Sequence, residues 1–409
     1  MSKINNLIIN IIYFSYLILP LGLITGPLIP DFLISLSSIL FILYCVKNKE
    51  YKYFRSSFFY IFFIFYLWCI ISALLSDYKQ ISFLKSLVYF RFFVFALSIW
   101  FICEAKKNIF KNLYFSVFLC FLILILDGYF QYFTGESITG SNHPVRISSF
   151  FGDELIYGSY LSRLMPTLIA LFFLNEFSKY KKNQLFFSIF IIFTSVVIFL
   201  SGERAAFLFV ILTFFYLTFM FNKYSKYLFV IFCIILLNVG IFTYKNEKLS
   251  QRMIDQTLEQ TGISKGINNF SRNHKGHYLV AWDLFKNNKI FGVGPKNFWK
   301  SCVNNSKYQS LPYVCSNHPH NTYLQLLSET GLLGFFIIIS MFIYLSYISI
   351  RYIYNKIFRL PTSMNFPSIC ITLALIVTLW PLISTGSFFN NYINIIYYFP
   401  VGIFLWSRN

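Results

Sequence analysis

The sequence predicts an all-α polytopic membrane protein, with about twelve transmembrane helices and one large outer helical loop between spans nine and ten. Three observations carry that expectation. Of 409 residues, 57% are hydrophobic and only 12% are charged, against about 25% charged in a soluble domain. Apolar runs long enough to cross a bilayer recur from end to end. The segments between them alternate between rich and poor in Lys and Arg. A soluble enzyme, a disordered chain and a small disulfide-rich scaffold are excluded by composition.

A spanning helix needs about 20 mostly apolar residues. Such runs lie at 7–24, 28–46, 58–75, 83–103, 113–133, 155–174, 185–201, 204–221, 226–244, 331–350, 367–385 and 388–406. The first lacks a small-residue cleavage site and reads as a retained helix. Basic clusters at Lys47–Arg55, Lys106–Lys111, Lys179–Lys182, Lys223–Lys226 and Arg351–Arg359 alternate with connections poor in Lys and Arg. The positive-inside rule then puts both termini in the cytoplasm. Three regions follow: a bundle of spans one to nine over 1–244, an outer loop with the chemical motif over 245–330, and spans ten to twelve over 331–409.

That outer loop holds 11 basic and 5 acidic residues, and the whole chain carries a formal charge of +19. The basic residues fall in short clusters between apolar runs, which argues against nucleic acid and leaves anionic lipid or an anionic substrate. All five histidines (His143, His274, His277, His318 and His320) fall on the outer side. Within the loop, Leu249, Met253, Ile254 and Leu258 recur at helical spacing, as do Tyr278, Leu279, Trp282 and Phe285. Such stripes suit helices lying on the membrane or over the bundle. Gly292-Val293-Gly294-Pro295 reads as a turn and not a nucleotide loop, which needs more glycine and a preceding strand. Six cysteines fall in apolar runs. Cys302 and Cys315 face an oxidising compartment, either as free thiols or as a disulfide worth about 3 kcal/mol.

The most informative stretch runs from His318 through Pro319, His320, Asn321 and Thr322 to Glu329, Gly331 and Gly334. Thr322 and Gln325 have capping-box spacing, so a helix is expected to begin just after His320. Its N-terminus favours anions, and Gly331 with Gly334 would permit close helix packing. No carboxylate or further histidine stands at ligand spacing beside the His-x-His pair, so no metal is expected. Arg204 follows Ser201-Gly202-Glu203 in the shortest outward turn. It is either a snorkelling arginine or, like Arg91, Arg163 and Asp127 in or beside apolar spans, part of a polar cavity.

These residues resemble the bacterial O-antigen ligase/O-antigen polymerase family. The family's pattern of His-Asn, nine residues, Gly, two residues and Gly is filled by His320, Asn321, Gly331 and Gly334. SGERAAF is similar to the turn holding its essential arginine, here Arg204, and AWDLFKNNKIFGVGPKNF resembles the run before the histidine. A second family arginine has no clear counterpart: His274 stands at that position, with Arg272 two residues earlier. The resemblance implies a metal-independent, cofactor-free glycosyltransferase of the membrane C-type architecture, in the bacterial inner membrane with a periplasmic site. Its donor would be a glycan on undecaprenyl pyrophosphate and its acceptor lipid A–core or another glycan. His320 and Arg204 would be catalytic, Arg204 with Arg272 or His274 would hold the pyrophosphate, and Asn321, Arg91, Arg146 and Arg163 would support them. Neighbouring arginine charge would keep His320 neutral. A ligase is the favoured reading and a polymerase the alternative. A transporter or flippase is disfavoured, because no internal repeat is visible.

Overall fold

The computed structural model describes residues 3–220, 225–261, 272–309, 314–362 and 364–408, with the side chains of all but 225, 260, 261, 272, 273 and 309. Among these residues every regular element is helical. The long helices are α1 (Lys3–Gly22), α2 (Leu28–Asn48), α3 (Ser57–Leu75), α4 (Lys79–Ala105), α5 (Ile109–Thr134), α6 (Tyr157–Phe173), α7 (Lys181–Leu200), α8 (Arg204–Met220) and α9 (Ser225–Lys245). After them come α10 (Arg272–Asn287), α11 (Thr322–Ile357), α12 (Phe366–Thr378) and α13 (Asn391–Arg408). Each expected span coincides with one of these helices, α10 excepted. By length and composition α1–α5, α7, α9 and α11 can cross a membrane, and α8 and α12 are apolar but shorter. The chain is a multi-pass membrane protein.

Aromatic side chains dominate the core, where α4 packs on α13 and α6 on α12. Phe92, Phe93 and Phe95 of α4 are almost wholly buried, as are Tyr157 and Tyr160 of α6. The span expected over 367–385 stops at Thr378. Pro381 has no N–H to continue the ladder, and residues 379–390 instead run as an irregular segment to α13. In α10 His277, Val280, Ala281 and Leu284 are buried. Of the stripe Tyr278, Leu279, Trp282 and Phe285, Leu279 and Trp282 are exposed and Phe285 is buried. Among Leu249, Met253, Ile254 and Leu258, the first two are buried and the last two exposed.

The site is positioned by two interlocked turns. Helix α11 is broken at Gly331, whose φ of +68° and ψ of −165° lie outside the helical region. A Cβ there would stand 2.0 Å from the Ile290 carbonyl oxygen. Close packing between helices is therefore not the role of Gly331: it admits the backbone of the preceding turn. Gly334 lies against Thr330 of its own helix, where a Cβ would meet the Thr330 Oγ1 at 2.1 Å. The turn at 288–298 bonds to α11 through Val293 N–H to Ser328 O (2.8 Å), Gly294 N–H to Glu329 O (2.9 Å) and, in return, Leu332 N–H to Lys289 O (2.9 Å). Helix α3 clasps the junction: Ser72 Oγ donates to Phe291 O (2.6 Å), Ser76 Oγ to Val293 O (2.6 Å) and Trp68 Nε1 to Thr330 O (2.8 Å).

Gly331→Ala combines a left-handed backbone with a backbone clash, so it should cost roughly 2–4 kcal/mol. The thermal unfolding midpoint of the purified protein checks this, with Gly240→Ala as control, since nothing lies within 4 Å of Gly240 in α9. The first substitution should lower the midpoint by several degrees and the second should not.

Candidate active site

His320 immediately precedes the cap of α11. Asn321 is that cap: its extended backbone lets the side-chain oxygen accept from Tyr323 N and Leu324 N, both at 3.0 Å. The expected capping box is absent. Thr322 pairs with Thr385 Oγ1 at 2.9 Å. Gln325 donates to Ser387 Oγ at 3.0 Å and accepts from Phe388 N at 2.8 Å. These groups bind the irregular 379–390 segment, to which Asn321 Nδ2 also donates at Pro381 O, 2.9 Å away. The same segment fixes both histidines, with Thr385 N–H donating to His320 O at 3.0 Å and His318 Nε2 lying 3.2 Å from Thr385 O. A carbonyl only accepts, so the His318 proton is on Nε2. His320 has a φ of +56°, a costly conformation for a non-glycine residue that only well-determined surroundings maintain.

Helix α10 adds two more imidazoles. His274 and His277, a helical turn apart, bring their ring centroids to 5.3 Å and 5.1 Å from His320, and His318 lies at 4.2 Å. The buried stripe of α10 seats them by packing on Phe298, Cys302 and Tyr308. A Cys302–Cys315 disulfide, with a Cα–Cα distance of 5.6 Å, staples that layer three residues before His318. No group of three or more His, Cys, Asp or Glu among the described residues is placed to hold a metal ion. The ring nitrogens of His320 make no hydrogen bond among the described residues.

Burial holds the His274, His318 and His320 rings neutral. It pushes His320 down to about 3, assisted by His318, His274 and His277. His318 is pushed down to about 4 by burial, opposed by its bond to Thr385 and reinforced by Lys296. The expected dominance of arginine charge over His320 is therefore replaced by desolvation. Arg204 instead acts on His274, lowered first by burial and then by that guanidinium.

Arg204 heads α8, half-buried, and its guanidinium makes no hydrogen bond or ion pair among the described residues. Glu203 beside it turns inward and accepts from Gly158 N (2.7 Å) and Ser159 N (3.2 Å) at the start of α6. Burial raises its carboxyl to about 7, and Arg146 is the strongest opposing influence. Arg252, on a π-helical turn at Gln251–Asp255, donates to Gly202 O at 2.8 Å and lies near enough to Arg204 to oppose its charge. Arg146 donates to Leu155 O at 2.9 Å. A small cavity lined by Arg146, His143 and Lys248 adjoins this cluster.

The other expected site residues divide. Arg91 does not join the cluster: it pairs with Asp31 at 2.6 Å and Ser35 Oγ at 3.2 Å, tying α4 to α2. Arg163 is buried, bonded to Ser159 Oγ (3.2 Å) and Thr378 O (3.1 Å), and joins α6 to α12. Asp127 accepts from Ile138 N at 2.7 Å and from Ser149 Oγ, holding the outer loop after α5. His143 lies apart, near Gly152 O. Arg272 opens α10, but its side chain lies outside the described residues. Sequence reading did not single out His277, Arg252 or Lys296. The i, i+3 spacing of His274 and His277 was the available signal for the first.

An imidazole whose folded pKa lies below its free value of about 6.5 binds fewer protons folded than unfolded. Stability should therefore fall as pH drops from about 6.5 toward the values of 4 and 3 set for His318 and His320. His320→Asn, which tolerates the left-handed backbone, should flatten the acid limb of a plot of unfolding midpoint against pH. A slope matching wild type would refute the depressed His320 pKa.

No curated protein matches the chain. Residues 189–339, which include Arg204, both α10 histidines and the His320 turn, match the family model described as O-antigen ligase. That match, over 151 of the 409 residues, supports the likeness to the O-antigen ligase/O-antigen polymerase family.

Proposed function

We propose that this chain is an O-antigen ligase: an inverting, metal-independent glycosyltransferase that moves a glycan from undecaprenyl pyrophosphate to lipid A–core. It acts at the periplasmic face of the bacterial inner membrane, with both termini cytoplasmic. The observation that carries the reading is one continuous site. An unpaired guanidinium, Arg204, acts on His274, and His274 stacks on His320, whose ring is unbonded among the described residues.

In that scheme Arg204 holds the donor diphosphate through the planar, bidentate recognition that guanidinium offers phosphate oxygens. Arg252 and Arg146 add positive charge, and Arg272 or His274 supplies the remaining contact. The acceptor hydroxyl attacks the anomeric carbon from the face opposite the diphosphate. The new C–O bond forms as the bond to the leaving oxygen breaks. The hydroxyl proton passes to His320, and the electron pair leaves with the lipid diphosphate, balanced by the arginines.

A base with a pKa near 3 is weak in the resting protein. The docked diphosphate supplies the negative charge that raises it toward the range useful for proton transfer. Donor binding thus primes the base before the acceptor reacts.

His320→Asn should lower transfer at least about 100-fold, the usual scale of general-base catalysis, at unchanged protein level. Arg204→Lys keeps charge and loses the fork, and should be severely impaired. The assay is transfer of lipid-linked glycan to purified lipid A–core in chelator. Normal transfer by either variant removes that residue from the scheme. The polymerase alternative has its own signature: a null strain would cap lipid A–core with a single repeat unit instead of losing O-antigen while lipid-linked polymer accumulates.

A further inference from the structure

The turn that docks on α11 contains an internal conflict. Lys296 follows Gly292, Gly294 and Pro295 and has a φ of +67°, where glycine would be free of strain and lysine is not. Its backbone N–H is well used, donating to Glu329 Oε2 at 2.9 Å, but glycine would make the same bond. The side chain is half-buried, and its ammonium forms no ion pair or hydrogen bond among the described residues. Glu329 is near enough to attract it, yet that carboxylate is already engaged by Lys296 N, Phe298 N (3.1 Å) and Gln325 Nε2 (3.0 Å). Lys85 of α4, an exposed residue, lies within electrostatic reach and adds a second positive charge. Burial of the Lys296 ammonium, its strained backbone and the like charge of Lys85 oppose stability, and attraction to Glu329 offsets them only in part.

The position of this pair explains what it is for. Lys296 acts on His318, His318 lies 4.2 Å from His320, and His320 lies 5.3 Å from His274, on which Arg204 acts. A run of rings, His318 to His320 to His274, therefore links two positive groups, Lys296 acting at its first ring and Arg204 at its last. We infer that Lys296, with Lys85 beside it, forms a second anion-binding subsite across His320 from Arg204, taking an oxyanion carried by a saccharide substrate. A diphosphate at one pole leaves the other for a phosphate or carboxylate on the acceptor or on the donor's own glycan. The assignment of sources rests on the glycosyl-transfer reading; the binding of an anion at Lys296 does not.

The test uses the full-length protein in nanodiscs and three probes: inorganic pyrophosphate, a phosphorylated lipopolysaccharide core oligosaccharide, and the same oligosaccharide after phosphatase treatment. Lys296→Gly relieves the backbone and keeps the bond to Glu329, so its unfolding midpoint should equal or exceed that of wild type. It should nonetheless bind the phosphorylated oligosaccharide about tenfold more weakly. Its affinity for pyrophosphate and for the dephosphorylated form should stay unchanged. Arg204→Ala should show the reverse, losing pyrophosphate and keeping the oligosaccharide. Lys296→Arg should retain most oligosaccharide binding. If the oligosaccharide probe is insensitive to Lys296, titration with undecaprenyl-diphosphate-linked glycan decides: weakening there assigns the oxyanion to the donor glycan. Unchanged binding of all these ligands by Lys296→Gly overturns the subsite, as does parallel weakening of every probe by both variants. Failure of glycosyl transfer with intact Lys296-dependent binding would sink the proposed reaction alone.

Discussion

Wherever the chain leaves helical form near the bilayer, its peptide groups lose their helical partners, and lipid offers no water to replace them. Polar side chains take over that role at several such places. Gln131 accepts from Ser148 N and Ser149 N in the loop after α5. Glu203 closes the start of α6, Asn321 and Gln325 secure the 379–390 segment, and Glu329 holds the turn that carries Lys296. Asp127, Glu203 and Glu329 are thus spent on main chain. Arg204 is left without an acidic partner among the described residues, so positive charge persists beside the neutral histidines.

This constraint also explains why the imidazoles can sit together. Ionised rings at such separations would repel strongly, but burial favours the uncharged forms of His274, His318 and His320. The neutral cluster acts as a spacer that separates positive charges while remaining able to accept a proton when an anion arrives. Its rigidity comes from three independent directions: the α11 cap, the 379–390 segment, and α10 on its disulfide-stapled layer.

Much of this was legible beforehand, for identifiable reasons. Apolar run length marks helices directly, so each expected span has its helix. The family pattern drew attention to His320 and Arg204, and the structure brings both to one region. What escaped was governed by contacts between distant segments. The capping-box spacing at Thr322 and Gln325 was real, but both side chains bind residues about sixty positions away. Gly331 read as a packing residue because nothing local reveals that the 289–290 backbone enters the break. Arg91 looked like a site residue until Asp31, from another helix, supplied its partner. The aromatic stripe of α10 left open which face meets the protein, and it is His277 with Val280, Ala281 and Leu284 that is buried.

The Cys302–Cys315 bond closes a short stretch of chain, with a sequence separation of 13, beside a layer that has little apolar area of its own. The reduced polypeptide would therefore lack its staple just where the His318 segment enters the centre. The bond's contribution to order therefore falls on the histidine turn and the layer under α10, while the membrane bundle rests on its own apolar core.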